Sequence, residues 1–218
     1  MSALPRVMRA SVLGMALVAC AQPPTEAQQR PDTGPMAEMP VRIATEPSPS
    51  LVAAARGQIG ITRYYDPAYE ALGYPGGDVP QDRGVCTDVV IRALRTQNID
   101  LQKTIHQDMR ENFRLYPQNW GLSGPDRNID HRRVPNQMRW FERQGWQQPV
   151  TIHAADYSPG DVVAWKLAGS GLLHVGIVSN RRLGDGTPLI LHNIGRGTQE
   201  DDILFHHEII GHYRPVLP

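Results

Sequence analysis

Cysteine is scarce in this chain: only Cys20 and Cys86 occur among 218 residues. Two cysteines cannot supply the disulfide framework of a small secreted scaffold, so the fold has to rest on a hydrophobic core. Net charge is missing as well, with 22 basic residues against 22 acidic ones. That balance argues against nucleic acid as a partner. No run of apolar residues is long enough to span a bilayer; the N-terminal run Val12 to Ala19 falls well short of a membrane span. There is no internal repeat, and after residue 50 no second linker.

The short N-terminal run has another use. Arg6 and Arg9 precede or border it, and residues 1–19 contain no acid, which is the pattern of a secretory signal. It ends in Leu17-Val18-Ala19-Cys20, a tetrad that resembles the lipobox of bacterial lipoproteins, in which the cysteine is lipidated and becomes the first mature residue. The following Ala21-Gln22-Pro23-Pro24 cannot continue a helix. Residues 1–19 are therefore expected to be a lipoprotein signal peptide and Cys20 the lipidation site. The mature chain then has 199 residues, and losing Arg6 and Arg9 leaves 20 basic against 22 acidic residues, a formal charge of −2. Residues 20–50 are proline-rich with no apolar period, which predicts a disordered tether. Its 30 residues after Cys20 reach about 100 Å at about 3.3 Å each when fully stretched. The expected location is the cell envelope, lipid-anchored on the periplasmic side of a bacterial membrane, with residues 51–218 forming one domain.

If Cys20 is acylated, Cys86 is a free thiol in an oxidising compartment. It lies in Asp82-Arg83-Gly84-Val85-Cys86-Thr87-Asp88-Val89-Val90. Gly84 supplies a turn, and Val85, Val89 and Ala93 recur at four-residue spacing, with Val90 and Leu94 widening that face. This predicts a helix with Cys86 at its open end. The helix N-terminus, helped by an imidazolium, is expected to lower the thiol pKa from about 8.5 and give a thiolate. The plainer alternative is a small hydrophobe in the core.

Leu51 to Gly60 reads as a first helix stopped by glycine. The turn-rich stretch from Tyr64-Tyr65 to Pro80 is expected to wall a cleft at Cys86. Further helices are predicted over Leu101 to Tyr116 and Val134 to Gln144, separated by a polar loop containing His131, Arg132 and Arg133. Guanidinium forks suit a carboxylate, so the arginine pair is a candidate contact for an acidic ligand, against the alternative of an ion-paired surface. From Ser158 the period changes to short apolar and β-branched runs, Asp161 to Lys166, Leu173 to Val178 and Pro188 to Asn193, with Ile209 to Tyr213 as a fourth. An antiparallel sheet follows, and hairpin pairing brings His174 and His192 to the same end of it. The fold class is α+β, with helices N-terminal to the sheet.

This order of parts resembles the NlpC-like cell-wall hydrolases, a branch of the papain-like cysteine peptidases. The resemblance rests on Cys86 in Gly84-Val85-Cys86-Thr87-Asp88, His174 in Leu173-His174-Val175-Gly176-Ile177-Val178, His192 in Ile190-Leu191-His192-Asn193, and Pro159-Gly160-Asp161 leading into the strand before His174. Its nearest form is the bacterial domain-of-unknown-function family 1287, through the blocks that begin at Tyr74, Arg83, Asn128 and His192. NlpC-like enzymes usually carry Asp-Cys-Ser-Gly at the nucleophile, where Val85-Cys86-Thr87-Asp88 stands here, so mechanism carries over further than substrate.

The resemblance implies a papain-like fold in which the nucleophile helix packs on the antiparallel sheet. It implies Cys86 as nucleophile, His174 as base and His192 as the orienting group, with Asn193 competing for that place. Tyr74 is a candidate oxyanion donor, and Asp88, His131 and Arg132 are candidate substrate contacts. The expected activity is hydrolysis of amides in peptidoglycan or its stem peptides, without cofactor or metal. The alternatives are a non-catalytic binder of cell-wall peptides and an acyltransferase using the same site. A zinc hydrolase is disfavoured, because His207 and His212 are five residues apart with Gly211 where the second ligand would stand.

Overall fold

The computed structural model describes residues 50–217 together with the short strand β1 (Arg42–Ile43). The expected signal peptide, the lipidation site Cys20 and, apart from β1 and Ser50, the expected tether lie outside the described residues. Four helices precede the sheet: α1 (Ser50–Arg56), α2 (Cys86–Arg95), α3 (Leu101–Asn112) and α4 (Val134–Arg143). A two-residue parallel pair, β2 (Tyr64–Tyr65) with β3 (Arg83–Gly84), closes the loop between α1 and α2. Five strands follow: β4 (Val162–Lys166), β5 (Leu173–Arg182), β6 (Pro188–Asn193), β7 (Thr198–Asp201) and β8 (Glu208–Tyr213). They form an antiparallel sheet in the order β7-β6-β5-β4-β8, and β1 pairs with the far end of β5.

Alternation along the strands sorts their side chains onto two faces. Val162, Ala164, Val175, Ile177 and Leu191 pack against α1, α2 and α4 in the main core. Val163, Trp165, Val178 and Ile190 face the other way and are covered by Tyr157 and Leu204 from the flanking loops. Trp165 donates its indole N–H to the Leu204 carbonyl at 2.9 Å, which fixes that cover.

Helix α2 is the centre of the layer, buried from Cys86 to Leu94. A helix sealed on all sides must satisfy its polar side chains internally. Thr87 donates to the Arg132 carbonyl at 3.0 Å. Arg92 clamps Asp78 and also donates to Thr62 and to the Val79, Pro80 and Arg83 carbonyls. The motif Gly77-Asp78-Val79-Pro80 thus anchors α2. Asp161, of Pro159-Gly160-Asp161, is likewise structural: it accepts from Ser158 N, His212 and Arg214 and ties the start of β4 to β8.

Candidate functional site

Cys86 opens α2. Asp88, at the third helical position, accepts a hydrogen bond from the Val85 N–H at 2.7 Å, half of a capping box that sets the angle at which the chain enters the helix. The approach is close: a Cβ on Gly84 would lie 2.8 Å from Asp88 Oδ2, which is why glycine stands there. Asn193 Nδ2 donates to the Gly84 carbonyl at 3.0 Å and Gly195 N donates to Asn193 Oδ1 at 3.2 Å. Asn193 therefore holds the turn before Cys86 and does not touch the His174 ring.

The histidine that does touch it is His192. His174 Nε2 and His192 Nδ1 are 3.0 Å apart, and His192 Nε2 lies 3.2 Å from Asp201 Oδ2. Both rings are buried. Burial holds the His174 imidazole down to about 3, with the neighbouring His192 and His207 acting the same way; burial also lowers His192, against the opposing pull of Asp201. Two neutral rings in this order have one consistent proton arrangement. A carboxylate only accepts, so His192 carries its proton on Nε2 and accepts at Nδ1 from the His174 Nε2–H. That leaves His174 with a bare Nδ1, which makes no hydrogen bond among the described residues. Gly176 makes the contact between strands possible, since a Cβ there would lie 2.6 Å from Ile190 Cγ2 and 3.1 Å from His192 Cβ.

The sulfur reaches β5 one residue further on. The backbone N–H groups of Val175, Thr87 and Cys86 favour its anionic form, but burial outweighs them, Asp88 adds to burial, and the thiol is pushed up to about 12. The expectation of a thiolate lowered by the helix N-terminus is thus overturned: Cys86 is only 5% exposed, and desolvation is larger than the backbone contribution. The His174 ring lies on the face shared with Trp165, its partner across β4, at 5.9 Å between ring centroids. No hydrogen bond joins that ring to Sγ among the described residues.

A cleft of about 360 Å³ opens at Cys86. Tyr65 and Pro67 form one wall, Trp120, Arg133 and the first turn of α4 another, and Leu173 the rim. Tyr65 is brought there by pairing with Gly84 in β2 and β3. Its phenol pKa is raised, by burial first and then by proximity to Cys86 and Asp88. Tyr74 is elsewhere, edge-on to His106 at 5.3 Å and beneath Arg127, so the oxyanion role expected of it does not fit its position.

Asp88 and Arg132 bind each other. The Arg132 Nε and Nη2 donate to the two Asp88 oxygens at 2.9 Å each, and the remaining donors reach the Ala68 and Asp66 carbonyls. Arg132 lines the cleft with its fork already occupied. His131 is buried, does not line the cleft and has an imidazole lowered to about 3 by burial. The expectation of substrate contacts at Asp88 and His131 is corrected accordingly: both are sealed inside, and Asp88 is spent on the helix cap and its arginine. Sequence reasoning missed Asp201, whose place depends on β7; Tyr65 lies in the stretch expected to wall the cleft, but nothing local singles it out, because its place beside Cys86 depends on the β2–β3 pair.

His207 accepts from the Ala168 N–H at 3.3 Å while His212 is held between Asp161 and the Pro149 carbonyl, so the two do not converge. Among the described residues no three His, Cys, Asp or Glu side chains are grouped to hold a metal ion, and no helix is long and apolar enough to cross a membrane.

No solved structure matches the chain. The Uncharacterized protein YijF of Escherichia coli strain K12 is 55% identical over 174 residues, covering 80% of this chain and 84% of that protein. Residues 52–215, which take in the chain from within α1 through β8, match the family described as Domain of unknown function (DUF1287), and the chain belongs to that family.

Proposed function

We propose that the protein is a cell-envelope lipoprotein and a thiol-dependent amide hydrolase of the NlpC-like, papain-like kind, acting on peptidoglycan stem peptides. The observation that carries this reading is the meeting of a free thiol, at a helix start that opens onto a cleft, with Val175 of β5, the residue that follows a histidine oriented by a second histidine. A nucleophile helix laid on an antiparallel sheet is also what the papain-like reading expects.

In the resting site both thiol and imidazole are neutral, so proton transfer accompanies attack. The step requires the His174 ring, which rests on the Trp165 face, to turn toward the sulfur when an amide binds; its Nδ1 then takes the thiol proton while Sγ bonds to the carbonyl carbon. The oxyanion is held by the Cys86 N–H and by the Tyr65 hydroxyl, which replaces Tyr74 as the second donor. Collapse breaks the C–N bond, the amine leaves with the proton from His174, and water attacks the thioester. His192 holds the ring throughout, and Asp201 sets the tautomer of His192.

Loss of hydrolysis of purified peptidoglycan or its stem peptides in Cys86→Ala, with the wild type insensitive to chelators and abolished by a thiol alkylator, is the expected result. Parental rates in Cys86→Ala would rule the reading out. The envelope location is tested by intact mass: a mature chain that starts at Cys20 and carries acyl mass is expected, and any other N-terminus rejects it.

The buried thiol, unbonded to His174, favours a second reading, a lipoprotein that binds cell-wall peptides in the same cleft with little turnover. Product mass spectrometry separates a cleaved peptide from an untouched one, and both from an acyl group transferred to an amine.

A further inference from the structure

The cleft at Cys86 is lined by two arginines and by no aspartate or glutamate. Arg132 is occupied by Asp88. Arg133 is different: its Nη1 donates to Asp130 Oδ1 at 2.8 Å, and its Nε and Nη2 make no hydrogen bond among the described residues. Those two nitrogens form the side-on fork that matches both oxygens of a carboxylate. At Arg92, Arg132, Arg143 and Arg214 that fork is filled by an internal acid, Asp78, Asp88, Asp108 and Asp161 in turn. Of the two arginines in the cleft, Arg133 is the one whose fork has no internal carboxylate among the described residues.

The Arg133 guanidinium is also held in place. Its central carbon lies 3.9 Å over the Trp120 ring centroid, and Asp130, itself buried, fixes one end. Stacking of this kind sets the plane of the fork before a ligand arrives, so less rotamer freedom is lost on binding. Asp130 is not a competitor for the open edge, because its second oxygen accepts from the Asp126 N–H.

We propose that Arg133, stacked on Trp120 in the wall of the Cys86 cleft, is a specificity-determining residue that selects peptides carrying a free carboxylate near the amide presented to Cys86. The proposal deepens the amide-hydrolase reading and rests on it for the word "amide", while the carboxylate preference is a binding property that stands separately.

The test uses two probes: a stem tripeptide with its carboxylates free, and the same tripeptide with every carboxylate converted to a carboxamide. Binding is followed on full-length Cys86→Ala protein through the Trp120 indole N–H resonance. The free-acid form is expected to bind about tenfold more tightly or better, and Arg133→Gln in the same background is expected to erase the difference. Equal affinities, no binding of either form, or a preference that survives Arg133→Gln would overturn the proposal. If Arg133→Gln does not fold, the salt dependence of the two affinities decides: a preference that shrinks with salt is expected, and one that does not is contrary. Turnover keeps the two ideas apart. Cys86-dependent cleavage of both probes at equal efficiency would leave the hydrolase standing and sink the carboxylate site. A tight, Arg133-dependent acid preference with no cleavage would do the reverse.

Discussion

His174 Nε2 and His192 Nδ1 lie 3.0 Å apart, joining β5 to β6 at the end of the sheet that faces the Cys86 turn. With Asp201 Oδ2 at 3.2 Å from the other nitrogen of His192, the contact fixes which nitrogen of His174 is free to take a proton. Replacing His192 with Ala is expected to lower kcat/KM on stem peptides by about 10²-fold. Asp201→Asn removes the acceptor that sets the tautomer, and a smaller loss, about tenfold, with a shifted pH profile is expected. Unchanged profiles in both variants would mean that the relay has no part in turnover.

The thiol raised to about 12 sets its chemistry at rest. Iodoacetamide at pH 8 is expected to modify Cys86 at least about tenfold more slowly than free cysteine, with full reactivity returning in denaturant. Alkylation as fast as that of free cysteine in the native protein would show a thiolate that this burial forbids.

Buried neutral histidines give stability a defined pH window. His131 and His174 are each lowered from 6.5 to about 3, so between those values the unfolded chain binds more protons than the native one. Stability is therefore complete above about pH 6.5 and falls as pH drops, by up to about 1.4 kcal/mol per pH unit for each such group. The lowered carboxylates Asp108, Asp161 and Glu200 act in the same direction but only nearer their ordinary values around 4, and Asp130, raised by burial, acts in the opposite sense, so the histidine contribution is read as the difference between wild type and a histidine variant between pH 6.5 and 5. Urea titrations across that interval should show a falling midpoint, less steep in His131→Leu. A flat response would contradict the burial.

Gly176→Ala is a test of the strand contact. The new methyl would sit 2.6 Å from Ile190 Cγ2 and 3.0 Å from the Leu191 carbonyl oxygen, and β6 would have to move. A loss of about 1–3 kcal/mol is expected by overpacking, together with a fall in activity larger than the stability change explains, because His192 moves with β6. Wild-type stability would show that β6 shifts freely.

Asp88→Ala leaves the Arg132 guanidinium buried without its acid and opens the helix cap. A cost of about 3–5 kcal/mol is expected in chemical denaturation, and a variant within about 0.5 kcal/mol of wild type would remove the pair from the account of how α2 is held.

Much of the layout was legible from local pattern. The run Pro188 to Asn193 is a strand with the bounds its composition suggests, α4 begins at Val134 as expected, and Cys86 stands at the first position of its helix. The predicted first helix is shorter, because Gly57 and Gly60 end it early in a series of turns, and the third gives way to a 3-10 turn at Phe113–Leu115. β7 was not visible: Thr198-Gln199-Glu200-Asp201 has no apolar alternation, and it is a strand because β6 offers it a partner edge. The short β1 falls inside the stretch read as tether for the same reason, its pairing with Arg181 and Arg182.

Residue types and spacing by themselves determined that a lone domain cysteine opens a helix, that two histidines sit at facing ends of neighbouring strands, and that helices precede an antiparallel sheet. These are properties of a few consecutive residues, so periodicity and turn chemistry suffice to read them. Only the folded arrangement decided that Asp88 and Arg132 consume each other, that Tyr65 rather than Tyr74 borders the sulfur, that Asp201 completes the histidine pair, and that burial overrides the helix terminus at Cys86. Each of those depends on which side chains from distant parts of the chain share one volume and how much water that volume admits, and neither quantity is written in any local run of residues.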